Sequence, residues 1–586
     1  MTTVVTLLVY TLSASPWIQG GDNAEFALLY AVGGVAHPSG YPLYTLYLQS
    51  MSWLPLSSPA HGAAVSTAVL GAGACTLLAV ACIRWGVRPW VAALVATLFA
   101  FSRLMWEMST QAEVFALHAL LAAAILAVTP AGGPVRGSRR AVLLGVLAGA
   151  GLANNLTLVL LAPTGLWGVV RAGREQRSQL SAFALALLSC LVTSGVLYAL
   201  LPLWAQNGGW VWGDLSTLDG VWRHARRTDF GTFSFGIYGD ERHTMEHLWL
   251  LARHSMVALL VVGPLVSVAG LVLWGTNRIP GMSRRMDAVM LTWSLVLSGP
   301  VLVGLMNLAP EGIALRVIER FYLLPTMILC LGMAGTLEWL AMRRQLTNVH
   351  GWPAVVVVGY LQLASSLQSV TDHHDRVVHD YLRNTLNQLP ADAVLLGTGD
   401  HRLFGYLYLQ RALGLRRDVL VLDVNMIRYP WYVRDQCPED ELVWSALTWD
   451  GRSTVASNVD TVGLISDLSS SGRPVFLTDV YSRAVGERVP MVPDGALMQV
   501  LGPQTPPRSL PEVERANIER LNDYGLSFER RPMRNTWAAL VYQDYARPFE
   551  QLAAHYGRVG DEARTQRMQE ILQRFAPALP VSPWEE

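Results

Sequence analysis

Two carboxylates three residues apart, Asp22 and Glu25, stand in the stretch Gly20-Gly21-Asp22-Asn23-Ala24-Glu25-Phe26, just beyond the first apolar segment. A carboxylate inside a bilayer costs roughly a few kcal/mol on insertion scales, so this pair belongs at the interface or in a wet cavity. There Asp22 can serve as a general base, taking the proton from a hydroxyl as its oxygen attacks a carbon centre. The competing use is a helix cap at the end of the first span. If 22–30 is helical, Glu25 shares a face with Asp22. The pair could then raise one carboxylate's pKa or hold a divalent cation together with a phosphate. Asp-x-x-Glu is equally the signature of a capping box, and one pair of carboxylates does not identify a metal.

Further candidates lie downstream. His37, before Pro38, sits in a rigid extended corner from which it could hydrogen-bond an anion, although a lone histidine is more often structural. Glu107 and Glu113 flank two apolar segments, and Glu113 with His118 could line a site; a solvated loop face explains Glu107 equally well. Arg316, Glu319 and Arg320 gather at the mouth of another segment, where a guanidinium can grip a phosphate bidentately or pair with the glutamate to fix a helix end. Asn155, amid apolar residues, reads first as a hydrogen-bond bridge between helices.

The elements that must position these residues are mostly apolar. Of 586 residues, 52% are hydrophobic and 15% charged, against about 25% charged in an ordinary soluble domain. Formal net charge is zero and no long basic run occurs, so no nucleic-acid footprint is present. No lysine occurs, which excludes a Walker-type phosphate loop and Schiff-base chemistry. Cys75, Cys82, Cys190 and Cys330 lie in apolar segments, Cys437 stands apart, and no CxxC pair suggests zinc or a disulfide framework. Met1 to Ser15 is apolar without a basic leader and reads as a retained, truncated first span.

Apolar runs suited to crossing about 30 Å of hydrocarbon recur as far as residue 370 and predict about eleven spans. They fall near 1–16, 61–83, 88–105, 114–129, 140–153, 155–170, 180–204, 255–275, 287–308, 320–340 and 352–370. One long span is the competitor for the two short passes within 140–170. Arginines favour the split: Arg84 and Arg88, Arg136 to Arg140, Arg171 to Arg177, Arg278 to Arg285, and Arg343 and Arg344 then occupy alternate, cytoplasmic loops. The opposite loops carry Asp22, Glu25, Glu107, Glu113, Asp214, Asp219 and Glu319. Two of these are long: 17–60, broken by prolines, and 205–254, which is rich in tryptophan and arginine; both suit the interface.

From about residue 371 the composition turns soluble. Strands are expected at 392–397, 418–423 and 474–477 with a helix over 402–413 between the first two, a small parallel α/β unit. Gly397-Thr398-Gly399-Asp400 lacks the full spacing of a nucleotide loop and reads as a turn. Residues 510–524 and 534–574 have helical periodicity broken at 557–560, like one tetratricopeptide hairpin. The expected division is 1–370 membrane domain, 371–505 soluble α/β domain and 506–586 helical region.

Several ordered motifs carry a resemblance over nearly the whole chain. They are Gly21-Asp22-x-x-Glu25-Phe26; Ala36-His37-Pro38-x-Gly40-Tyr41-Pro42-Leu43-Tyr44; Gln111-Ala112-Glu113-Val114-x-Ala116-Leu117-His118; Gly151-Leu152-Ala153-x-Asn155-Leu156-Thr157; Trp212-Gly213-Asp214; Phe230-Gly231-Thr232-Phe233; Arg320-Phe321-Tyr322-Leu323-Leu324-Pro325; Gly399-Asp400; and Tyr429-Pro430-Trp431-Tyr432. Together they resemble the membrane family related to TMEM260-type protein O-mannosyltransferases. Departures are small: Asn23, Ser39 and Asn154 replace commoner residues without removing a charge.

The resemblance implies a GT-C glycosyltransferase, a polytopic α-helical membrane enzyme with a soluble C-terminal domain on the outer, periplasmic or lumenal face of a bacterial inner membrane or its equivalent. The implied donor is a polyprenyl-phosphate-linked sugar, mannose by the resemblance, and the acceptor a protein or glycan. Asp22 and Glu25 become the catalytic candidates and His37, Tyr41, Arg316 and Arg320 the donor contacts, with Glu107, Glu113, His118, Asn155 and Glu319 lining the site. The rival reading is a transporter or lipid flippase, which favours inverted repeats and charges at mid-span; here the charges gather at outer loops. A third, a scaffold, would leave the first-loop carboxylates dispensable.

Overall fold

The computed structural model describes residues 2–230, 243–279, 285–526, 528 and 536–575. Gly231-Thr232-Phe233 of one motif and Arg284 of one loop lie outside the described residues. The chain divides into two compact units, one of Met1–Pro16, Leu29–Val211 and Leu215–His373, the other of Trp17–Leu28, Trp212–Asp214 and His374–Glu586.

The first unit is a helical membrane domain. Six helices among the described residues are long and apolar enough to cross a bilayer: Pro59–Arg84, Leu156–Glu175, Gln179–Ala205, Arg285–Gly304, Gly312–Arg343 and Gly351–Thr371. Two pairs bent by 71° and 90°, Pro89–Ala100 with Arg103–Ser109 and Thr244–Ala258 with Gly263–Gly275, raise the number to eight if each is one span. The chain is thus a multi-pass membrane protein. Every expected apolar segment carries a helix, but Thr2–Leu12, Phe115–Val128 and Gly137–Leu152 have only 11, 14 and 16 residues. Against about 20 residues for a full crossing, those three are short.

The doubtful stretch 140–170 is two helices, Gly137–Leu152 and Leu156–Glu175, packed on each other across a break at 153–155. Helix Gln179–Ala205 exposes Leu180, Leu187, Leu188, Leu191 and Val196, an apolar surface that a bilayer covers. Arginines of the short loops are engaged: Arg88 with Glu338 at 2.9 Å, Arg140 with Glu175 at 2.5 Å, and Arg171 with buried Asp287. Small residues let helices close. A methyl on Gly270 would lie 1.8 Å from the Gly332 carbonyl oxygen, so helices Gly263–Gly275 and Leu323–Arg343 meet backbone to backbone. Two loop pieces, β1 (Gly34–Val35) and β2 (Trp210–Val211), pair in parallel and tie the long loops together.

In the second unit, β3 (Val394–Gly397), β4 (Leu420–Asp423) and β5 (Val475–Leu477) are parallel, with β3 central and buried at all four residues, as its unbroken apolar run requires. An antiparallel hairpin, β6 (Met491–Asp494) and β7 (Leu497–Val500), extends the sheet to the order β4-β3-β5-β7-β6. Helices Leu510–Asp523, Trp537–Val559 and Glu562–Phe575 follow, the last two separated by Gly560 at φ +77°. Buried Glu514 accepts from Arg567 at 2.8 Å and Tyr556 at 2.7 Å, joining all three.

Candidate functional site

In the membrane unit, side chains 216 positions apart in sequence converge on one ionic network. Arg103 donates to Glu107 at 3.0 Å and to Glu319 at 2.8 Å. Arg316 donates to Glu319 at 3.1 Å and stands 3.7 Å from Glu107. Ser369 adds a hydrogen bond to Glu107 at 3.4 Å. Two guanidinium groups against two carboxylates leave the network balanced, with the Glu107 side chain only 2% exposed. Next to it in sequence, Arg320 pairs with buried Glu113 at 3.2 Å and lies 5.8 Å over the Phe115 ring. Arg320, Phe115, His118, Thr157 and Phe321 line a small cleft. Here the Arg320 guanidinium borders a small space with the Phe115 and Phe321 rings on its walls.

Among the described residues, Asn155 bonds within its own turn and not between helices. Its Oδ1 accepts from the Thr157 amide at 3.0 Å and from the Thr157 hydroxyl at 2.6 Å, capping the 3-10 turn Leu156–Leu161. The interhelical bond belongs to its neighbour Asn154, which donates to the Val114 carbonyl at 3.3 Å.

The corner at His37 is also built by tertiary contact. Tyr41 Oη and His37 Nε2 are 3.3 Å apart in a hydrogen bond, and the Phe230 ring lies 6.2 Å from His37. Tyr41 itself has φ 43° at the start of helix Pro42–Met51. Behind the corner, His224 is 5% exposed and fits because residue 40 is glycine; a methyl there would lie 3.0 Å from His224 Nε2. Burial, and then neighbouring His37, hold His224 down to about 3, so its ring stays neutral.

Asp22 and Glu25 belong to the second unit. Asp22 opens helix Asp22–Val32, so the expected helix over 22–30 forms, and Glu25 one turn later is fully buried. The preceding turn is closed by Asn23, whose Oδ1 accepts from the Gln19 amide at 2.9 Å. Trp17 is fixed under Arg376, 4.1 Å from its ring, and against His379 at 5.2 Å.

The C-terminal ends of the parallel strands carry a buried ionic cluster. Arg402 donates to Asp479 and Asp544, each at 2.6 Å, and to the Thr398 carbonyl at 3.2 Å. Gly397-Thr398-Gly399-Asp400 is therefore a turn locked by a buried arginine, with Gly399 at φ +96°. Burial, with Asp400 beside it, pushes Asp423 up to about 7 in spite of amide donors from Asn425 and Met426. The folded state thus keeps a proton that the unfolded chain releases near about pH 4. That stability is fully present below about pH 4 and is lost as pH rises through about 7. The stability of this unit is expected to fall over that window, by at most about 1.4 kcal/mol per pH unit, lowering the thermal midpoint, and Asp423→Asn to flatten that slope in thermal melts.

Of the eleven residues singled out in sequence, Glu107, Arg316 and Glu319 share one network, Glu113 and Arg320 form a pair beside His118, and His37 and Tyr41 form another. Asn155 serves its own turn, and Asp22 and Glu25 lie in the other unit. Sequence reasoning missed Arg103, His224, Arg402 and His254, whose ring lies 5.1 Å from that of Tyr322. Only Arg103 had a local signal, its i,i+4 spacing to Glu107. Among the described residues, no three His, Cys, Asp or Glu side chains are grouped to hold a metal ion.

The fold of this helical frame is GT-C-like. ArnT from Cupriavidus metallidurans, solved with undecaprenyl phosphate bound, aligns with a TM-score of 0.53 over 86% of this chain and 98% of its own, at 13% identity. Its apo structure gives the same TM-score at 14% identity. At such identities the likeness is one of fold. Residues 22–179 match the family model described as the Protein O-mannosyl-transferase TMEM260 N-terminal domain, so the resemblance read from the motifs is borne out. Protein O-mannosyl-transferase TMEM260 of Mus musculus is 29% identical over 446 residues, 72% of this chain and 62% of the mouse protein. The Dictyostelium discoideum protein of that name is 24% identical over 473 residues, 74% of this chain and 57% of its own. The chain thus spans less than two thirds of the length of either curated relative.

Proposed function

We propose that the chain is a glycosyltransferase that moves one sugar, mannose, from a polyprenyl-phosphate donor to a hydroxyl of a protein acceptor on the outer face of the membrane. The observation that carries this reading is the placement of the family match: it starts at Asp22 and includes Glu25, His37, Tyr41, Glu107, Glu113, His118 and Asn155. The curated relatives are named protein O-mannosyl-transferases, and the ArnT fold holds undecaprenyl phosphate.

In the proposed reaction the acceptor oxygen attacks the anomeric carbon, its proton passes to the Asp22 carboxylate, and the bond from that carbon to the phosphate oxygen breaks. The polyprenyl phosphate leaves with the bonding electrons. His37, Tyr41 and Arg320 supply donors to the phosphate as its charge develops. Glu113 holds Arg320 at 3.2 Å, and the Arg103–Glu107–Arg316–Glu319 network keeps the ends of its helices in place. Glu25 sets the field around Asp22; a divalent cation, if the reaction uses one, would have this carboxylate pair as its protein ligands. The C-terminal domain faces the periplasm or lumen, with the arginine-bearing loops on the cytoplasmic side.

The test is transfer by the purified chain in lipid nanodiscs from tritiated polyprenyl-phosphate-mannose to a peptide rich in serine and threonine. Label is expected in the peptide, bound through a hydroxyl; donor that stays intact, or is moved across the bilayer without transfer, overturns the reading in favour of a flippase.

A further inference from the structure

We propose that Trp537, in the C-terminal part of the chain, is a positioning residue for Asp22, and that His401 backs it. The inference rests on the reading of Asp22 as base. Two glycines, Gly20 and Gly21, precede that residue. Gly20 has φ +113° and Gly21 φ +60°, conformations that side-chain-bearing residues rarely adopt. A methyl on Gly20 would lie 2.7 Å from Trp537 Cγ and 3.0 Å from Cδ1, and one on Gly21 3.3 Å from Cζ2. The indole therefore runs along both residues, from its five-membered ring at Gly20 to its six-membered ring at Gly21. Glycine is required there twice over, by backbone conformation and by the wall against it.

That wall is itself fixed. Trp537 is the first residue of helix Trp537–Val559, whose N-cap Thr536 accepts from the Ala539 amide at 3.3 Å. The His401 ring stacks on the indole with centroids 4.6 Å apart and planes at 28°. His401 is 4% exposed, and among the described residues neither ring nitrogen has a hydrogen-bond partner, so stacking is what the ring contributes. Burial, with Arg402 next to it, holds it down to about 3 and keeps it neutral. Its neighbour Arg402 is clamped to Asp479 and Asp544, which anchors this stretch to the end of the sheet. A continuous packing chain thus leads from the sheet through His401 and Trp537 to the backbone carrying Asp22.

The geometry gives the C-terminal domain a part in the reaction that its composition does not suggest. A base must be held to within about 1 Å of its working position, and a misplacement of that size costs on the order of 100-fold in rate. Two glycines without a wall have the greatest backbone freedom of any pair of residues.

Trp537→Ala is expected to lower kcat for transfer from polyprenyl-phosphate-mannose by about 10- to 100-fold with donor KM within about twofold. Amide exchange over 20–28 should rise about tenfold, while exchange over 394–397 and 420–423 keeps its wild-type protection. Trp537→Phe, which keeps a flat ring at the glycines, should restore both readouts. The role is overturned if Trp537→Ala leaves kcat and exchange over 20–28 unchanged, or if strand protection is lost together with activity and Trp537→Phe restores the strands but not kcat. Asp22→Asn, measured alongside, separates the two levels: full turnover there removes the base on which the inference rests. An inactive Asp22→Asn beside a fully active Trp537→Ala overturns the positioning role alone.

Discussion

Asp22→Asn is expected to lower kcat for sugar transfer by about 10²- to 10⁴-fold, the usual contribution of a general base. Asparagine separates the two uses of this residue cleanly. Asp22 opens helix Asp22–Val32, where a side-chain oxygen can accept from free backbone amides. Asparagine caps a helix about as well as aspartate and has nearly its shape, so a capping role survives the change while the proton acceptor is lost. The expected signature is a fall in kcat with unchanged insertion into the membrane and an unchanged melting midpoint. Asp22→Ser tests the same point, since serine too caps a helix and has no basic carboxylate. Activity retained in both variants would return Asp22 to a structural role and leave the transfer without its base.

Arg402→Met is expected to destabilise the second unit by about 3 kcal/mol, the low end of the range for removing one partner from a buried ion pair. Arg402 is the shared donor to Asp479 and Asp544, and the Asp544 side chain is fully buried. The low end applies because Arg547 also pairs with Asp544 and, through the Thr478 carbonyl at 2.7 Å, stays anchored. Arg402→Lys is not expected to rescue the loss. An ammonium group has three donors, but all on one nitrogen, so it cannot reach Asp479, Asp544 and the Thr398 carbonyl from the separate positions of the two guanidinium ends. Thermal unfolding followed by amide exchange in β3 and β5 measures the effect; equal stability of wild type and Arg402→Met would mean that the helices alone hold the end of the sheet.

How far these residues were legible in sequence depended on whether their signal was local. Apolar runs located every membrane helix, because burial in lipid demands an unbroken stretch. They did not give lengths, since the bends after Ala100 and Ala258 are set by packing. The strands at 394–397, 420–423 and 475–477 were evident from buried β-rich runs. The hairpin at 491–500 was not, because Pro493 and the short alternation disguise it and only Asp494-Gly495 marks its turn. Asp22, His37 and Arg320 stood out through their motifs. Arg103, His224 and Arg402 have meaning only through partners brought together by the fold. Composition also divided the chain by solubility, near 370 and 505, and so could not tell that 17–28 and 212–214 pack with 374–586. A short loop after an apolar segment carries no mark of the surface on which it will rest.

The measurement that bears most directly on the proposed chemistry is a cryo-EM structure of the purified chain with a polyprenyl-phosphate-linked sugar bound. The phosphate is expected within hydrogen-bonding distance of His37, Tyr41 or Arg320, in the unit where those donors already face a corner and a cleft. A lipid phosphate seated away from all three would contradict the account.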